Sequence, residues 1–282
     1  MNICFIIDNP ETTKHPVVGA VLQQLSSTHT VRLFDVAGVT AAAAIAGEEG
    51  RPLADIYLLK SHTFQALELA HRLEKRGALV VNSFLSSLAC QDRVLMAERT
   101  AQARLPYPPT RSFASLQEML RQPSALRTVS FPLILKSRHS HRGDLVTKVH
   151  SIEQLRALAE RWNQEPVILQ EFVQGDGWDI KLWVIDEQIF AARRRTSLEA
   201  DASKENFPIS TEELPIAWRS LALQIGRVFV LHLYGIDLVV TEQGPVIVDI
   251  NSFPGFRGVA GAAPALVSLI ERLADAHWKG IP

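Results

Sequence analysis

The chain of 282 residues is poor in the residue types that would narrow its class by themselves. It has two cysteines, Cys4 and Cys90, each in apolar surroundings, so it holds too few thiols for a disulfide scaffold and reads as two buried thiols in a reducing compartment. No Cys/His spacing suggests zinc. No uninterrupted apolar run approaches the ~18–20 residues of a membrane span, and no basic stretch precedes a long apolar one. These features predict a soluble, cytoplasmic protein with no membrane partner. Net charge is also missing: Lys and Arg number 29 against 30 Asp and Glu, giving −1, which provides no general attraction to nucleic acid. Any anion must therefore be bound by local clustering. There is no internal repeat, and only Ala41–Ala46 is compositionally biased.

What is present is a chain 47% apolar, ample for sizeable cores. In the first 90 residues short apolar runs (Asn2–Ile7, Val31–Phe34, Ile56–Leu59, Ala78–Val81) alternate with helical spacing at Pro16–Leu25 and Phe64–Lys75. That alternation predicts a parallel sheet with ligand groups at the carboxyl ends of its strands. Lys60 follows one such strand. Asp92 is suited to cap a helix whose apolar side carries Val94, Leu95, Ala97 and Ala101, stopped by Pro106–Pro109. Phe131–Leu135 reads as a strand ending in Lys136. The loop after it, Ser137–Asp144, carries His139 and His141 among basic side chains and one glycine, and is suited to fold over an anion. Val167–Val173 is an apolar strand with a glycine exit, and Trp178–Ile185 and Gln188–Arg195 form two more. Three consecutive arginines close the last, and they cannot all face one way. Thr211–Glu213 is read as the cap of a helix over Leu214–Leu231.

The most informative stretch is Tyr234–Gly258. Ile236–Val240 and Val246–Ile250 alternate about a polar turn, so Asp249 and Asn251 share a face. With a three-residue loop Asp237 stands opposite Asp249. Like charges opposed across a ladder destabilise it, which calls for compensation, and Mg²⁺ with its preference for hard oxygen ligands is the expected source.

The run VIVDINSFPGFRGV resembles the closing metal-binding motif of the ATP-grasp superfamily, most closely the form in the inositol 1,3,4-trisphosphate 5/6-kinases and less closely that in RimK-type carboxylate–amine ligases. The resemblance implies an α/β protein of ATP-grasp fold with an N-terminal Rossmann-like parallel-sheet domain. The expected divisions are residues 1–90, 91–170 and 171–282. It implies ATP and one or two Mg²⁺ ions, the metal held by Asp237, Asp249 and Asn251. The nucleotide is expected on Arg93, Lys136, Asp179, Ser197 and the segment Gln170, Glu171, Phe172 and Val173, with Lys181, Arg195 and His141 in catalytic roles. The acceptor, a small anionic molecule, is expected on Lys60, His139, His141, Lys181 and Gly255. Asp92-Arg93, the D-I-N-x-F-P-G run and the loop histidines favour a kinase acting on a phosphorylated polyol; the alternative is a ligase acting through an acyl phosphate. A monomer or homodimer is expected.

Overall fold

A computed structural model describes residues 1–36, 54–122, 130–141, 143–163, 165–196 and 205–279. The Ala41–Ala46 run and Ser197 lie outside them. Three sheets carry the architecture; Thr110–Phe113 and Phe207–Ile209 are strands that the sequence patterning did not indicate.

The first sheet comprises β1 (Asn2–Ile7), β2 (Thr30–Asp35), β3 (Ile56–Lys60) and β4 (Val80–Val81) in the parallel order β2-β1-β3-β4. Its central strands are buried on both faces, as parallel strands covered by helices must be. Helices α1 (Pro16–Ser26), α2 (Phe64–Glu74) and α3 (Phe84–Gln91) follow β1, β3 and β4. Cys4 and Cys90 are both buried and unpaired, and burial pushes the Cys4 thiol up to about 12.

Helix α4 (Arg93–Gln102) starts at Asp92, whose carboxylate accepts the Val94 N–H at 2.9 Å. Its buried side is Arg93, Met96 and Thr100 rather than Val94, Leu95, Ala97 and Ala101. The helix turns its arginine inward, where it meets acids, and leaves the smaller apolar residues at the margin. The second sheet is antiparallel, in the order β5-β8-β6-β7, from β5 (Thr110–Phe113), β6 (Leu133–Ser137), β7 (Val146–Val149) and β8 (Val167–Glu171). Helices α5 (Leu116–Leu120) and α6 (Ile152–Arg161) cover one face.

The third sheet, also antiparallel, runs β11-β10-β9-β12-β13. It is built from β9 (Trp178–Ile185), β10 (Gln188–Arg195), β11 (Phe207–Ile209), β12 (Leu233–Thr241) and β13 (Gly244–Asn251). Helix α7 (Ile216–Phe229) packs on it with Leu221, Ile225 and Phe229 buried. Its N-cap is Pro215, with no side-chain cap. The expected Thr211–Glu213 cap is instead a turn in which Ser210 and Glu213 bond each other ahead of the helix. The last helix, α8 (Ala262–Trp278), shares one core with β1, β3 and α1 and with Trp183 and Leu233 of the third sheet, so the two ends of the chain are packed together.

Two residues set the loop after β13. Asn82, fully buried, donates through Nδ2 to the Leu233 and Ser252 carbonyls and accepts the His232 N–H at 2.8 Å. Gly235 lets Pro254 lie on the sheet: a Cβ there would stand 2.9 Å from Pro254 Cβ. Gly235→Ala is therefore expected to lose about 1–3 kcal/mol by overpacking, read from the urea midpoint; an unchanged midpoint would mean that the loop shifts at no cost.

Candidate active site

The second and third sheets face each other across a cavity of about 370 Å³. Arg93, Lys136, Lys148, Gln170–Val173, Asp179, Arg194, Thr196, Asp237 and Asp249 are among the residues that line it. The strand pattern explains the floor. Lys136 on β6 and Lys148 on β7 lie on one face, because Ile134 pairs with Lys148 and Lys136 with Val146. Lys136 is buried and donates from Nζ to the Val248 carbonyl at 2.8 Å, joining the two sheets. Burial pushes its ammonium down to about 8, against the pull of Asp249.

Asp237 does stand opposite Asp249, but not through a three-residue loop. The turn has only Glu242 and Gln243 between the paired Thr241 and Gly244, and a one-residue bulge at Val248 restores the register. The bulge also presents the Val248 carbonyl to Lys136. Compensation for the opposed acids comes from protein cations. Lys181, the cross-strand partner of Asp237 on β9, reaches Oδ1 at 2.7 Å, and Arg194 reaches Oδ2 at 3.3 Å. Burial pushes the Asp237 carboxyl up, but Lys181 and Arg194 prevail and hold it below the usual range. Asp249 has Arg93 Nε 4.0 Å from its Oδ1 and no cation as close as those on Asp237 among the described residues, and burial leaves its carboxyl raised despite Arg93 and Lys136. Asn251 lies beyond the cavity lining; its Oδ1 accepts the Phe253 N–H at 2.9 Å.

Gln170 is buried and donates to Thr110 Oγ1 at 3.1 Å. The Glu171 N–H is taken by the Pro109 carbonyl, and Phe172 carries Lys148 Nζ 3.7 Å from its ring centre. Asp179 is buried and accepts the Thr196 hydroxyl at 3.0 Å. Of the three arginines it is Arg194, not Arg195, that enters the cavity. Arg193 and Arg195 turn the other way and flank the Trp178 ring at 4.9 and 4.1 Å. Period-two alternation requires that split.

Of the expected acceptor residues, Lys60, Lys181 and Gly255 lie at the loop after β13, while the two histidines lie elsewhere. Lys60 donates to the Phe253 carbonyl at 2.7 Å, and burial pushes its ammonium down to about 8. The Gly255 carbonyl accepts the Trp183 indole N–H at 2.9 Å, and a Cβ on Gly255 would stand 3.8 Å from His15 Nε2. His139 Nε2 lies 3.6 Å from Asp92, and its ring meets Phe64 edge-on; His141 Nε2 lies 3.6 Å from Glu165. Neither histidine lines the cavity, because each is drawn to an acid outside it.

Lys60 gives a pH prediction. Its ammonium is depressed from 10.5 to about 8 in the fold, so between those values the unfolded chain binds more protons and stability rises with pH. Wild type should therefore gain on Lys60→Met by up to roughly 3 kcal/mol across that window, at 1.36 kcal/mol per unit. Parallel stability profiles for the two proteins would show that Lys60 titrates normally.

Residues 76–265 match the family of RimK-like ATP-grasp domains. A probable alpha-L-glutamate ligase from Trichodesmium erythraeum is 25% identical over 229 residues, 78% of this chain and 76% of its own. Two solved structures share the fold. One is a RimK domain ATP-grasp protein from Sphaerobacter thermophilus, with TM-score 0.72 and 20% identity, covering 98% of each chain. The other is the D-alanine–D-alanine ligase from Bacillus anthracis complexed with ATP, with TM-score 0.74 and 15% identity, covering 100% of this chain and 98% of that one.

The expectation of a kinase is overturned by the family match and the ligase relative. The features that suggested it are accounted for locally: Asp92 caps α4 and clasps Arg138, Asn251 bonds the loop backbone, and the histidines pair with acids. The resemblance to inositol phosphate kinases is likewise not supported. The fold is the expected ATP-grasp fold, and the chain belongs to the RimK-like ATP-grasp family.

Proposed function

We propose that this protein is an ATP-dependent carboxylate–amine ligase, which activates a carboxylate as an acyl phosphate and lets an amine displace the phosphate. The observation that carries the reading is the match to the RimK-like family over residues 76–265, with a ligase relative aligned over three quarters of both chains. The cavity supplies the parts that such chemistry needs. The segment Gln170–Val173 would receive the adenine, and Lys136 and Lys148 would meet the phosphates as point charges on the floor. Asp179 and Thr196, bonded to each other at 3.0 Å, would line the ribose side.

A magnesium ion fits the donor set. The Asp249 carboxylate faces the cavity with no hydrogen bond among the described residues, Asp237 stands opposite, and both offer hard oxygens. Asn251 keeps one lone pair after its bond to Phe253. When bound, the ion would neutralise phosphate oxygens as a Lewis acid. The chain's own work is then positioning and electrostatics. Lys136 and Arg194 stabilise charge that spreads over the transferred phosphoryl group, and the buried floor keeps water from the acyl phosphate. Lys60 and the Gly255 loop would take the second substrate.

The relative's name makes L-glutamate the first amine to try, against a panel of small carboxylates. ADP release should require both partners, and Mg-ATP should raise the melting temperature, since a ligand bound only by the folded state stabilises it by about 2.7 kcal/mol at a hundred times its Kd. Melting unmoved by millimolar Mg-ATP would refute the reading.

A further inference from the structure

Arg93 is only 4% exposed and stands between two acids. Its Nη1 meets the Ser137 carbonyl at 2.7 Å and Asp144 Oδ2 at 2.8 Å, while its Nε, without a hydrogen-bond partner among the described residues, lies 4.0 Å from Asp249 Oδ1. The backbone at this point is fixed. The Arg93 N–H donates to the Arg138 carbonyl at 2.9 Å, and the Ser140 N–H donates to the Gln91 carbonyl at 2.8 Å. The Asp92 carboxylate takes three bonds from Arg138, at 3.0, 3.1 and 2.7 Å. The loop is closed at its base as well, because Ser137 Oγ accepts the Leu145 N–H at 2.8 Å. The helix start therefore cannot move away, and the guanidinium is left to choose between Asp144 and Asp249. A guanidinium keeps its charge under all conditions, and when buried it must have an acid beside it.

We propose that Asp144 is a positioning residue: it holds Arg93 on the base of the 138–144 loop and so keeps the Asp249 carboxylate open to the metal ion. The inference rests on the metal site of the proposed function. Without the Asp144 charge, Asp249 is the nearest acid left to Arg93. A fork-to-carboxylate pair there would occupy the oxygens that the ion needs.

Manganese binding to the ligand-free protein, followed by electron paramagnetic resonance, tests this without turnover. Asp144→Asn should weaken Mn²⁺ at least about tenfold, a loss near 1.4 kcal/mol. Arg93→Met, alone or combined with Asp144→Asn, should bind Mn²⁺ at least as tightly as wild type, and Asp144→Glu should keep wild-type affinity. A purely structural role for Asp144 would not be rescued by deleting Arg93. A folded Asp144→Asn with wild-type Mn²⁺ affinity overturns the inference alone, as does an Arg93→Met that binds more weakly, which decides the matter should Asp144→Asn not fold. A wild-type protein that binds no Mn²⁺ overturns the metal site itself and this inference with it.

Discussion

Asp237→Asn is expected to destabilise the ligand-free protein by about 2–3 kcal/mol, whereas Asp249→Asn, directly across the ladder, is expected to leave it no less stable. The two acids have the same type and nearly the same surroundings, but opposite balances. Asp237 holds Lys181 at 2.7 Å and Arg194 at 3.3 Å, and losing its charge leaves two cations facing each other in a site where its side chain is only 16% exposed. Because those cations hold its carboxyl below the ordinary value, its stabilisation is in force above about pH 4 and disappears as pH falls through the lower native value. Asp249 is the reverse case. Its carboxyl is raised by burial against the pull of Arg93 and Lys136, so at neutral pH its charge costs stability, and asparagine removes that cost. Turnover should nevertheless fall about a thousandfold in Asp249→Asn, the scale of losing a charge preorganised for the transition state. Urea titrations of both variants at pH 7 check the stability half; equal losses would mean that the two acids form one structural pair.

Lys136→Met should separate binding from stability in the same way. The ammonium is buried and pushed down to about 8, so a charge is held at neutral pH in a place that disfavours it, and among the described residues it donates to the Val248 carbonyl at 2.8 Å. Methionine keeps the packing and removes that cost. The ligand-free variant should melt at or above the wild-type temperature while its Kd for ATP rises about ten- to a hundredfold, the range for a hydrogen bond to a charged group. Unchanged ATP affinity would move the phosphate contacts to Lys148 and Arg194.

How far the sequence could be read depended on whether the signal was periodic or spatial. Alternation put Asp249 and Asn251 on one face, and Asp237 does pair with Asp249, although the loop reasoning that led there missed the Val248 bulge, which no local pattern announces. The same alternation would have found Lys148, two residues after the paired Val146, and would have separated Arg194 from Arg193 and Arg195 once one of the three was fixed. The Asp92 cap was legible because capping is local. The partners of Lys181, Arg93 and the two loop histidines were not, because each is decided by an acid distant in sequence that the fold brings alongside. Asn82, which organises the loop after β13 through main-chain groups 150 and more residues away, left no trace in its own neighbourhood.

The choice of reaction was lost at a similar point. Motif residues shared across ATP-grasp enzymes report where phosphate is handled and say little about which atom receives it. Carboxylate activation leaves a signature that no other outcome shares. A carboxylate donor labelled with ¹⁸O, incubated with the protein, Mg-ATP and L-glutamate, should transfer one labelled oxygen to free inorganic phosphate for each amide formed, since the carboxylate oxygen that attacks the γ-phosphorus departs with it. Inorganic phosphate without label, or a phosphoryl group that stays on the product, would contradict the ligase account.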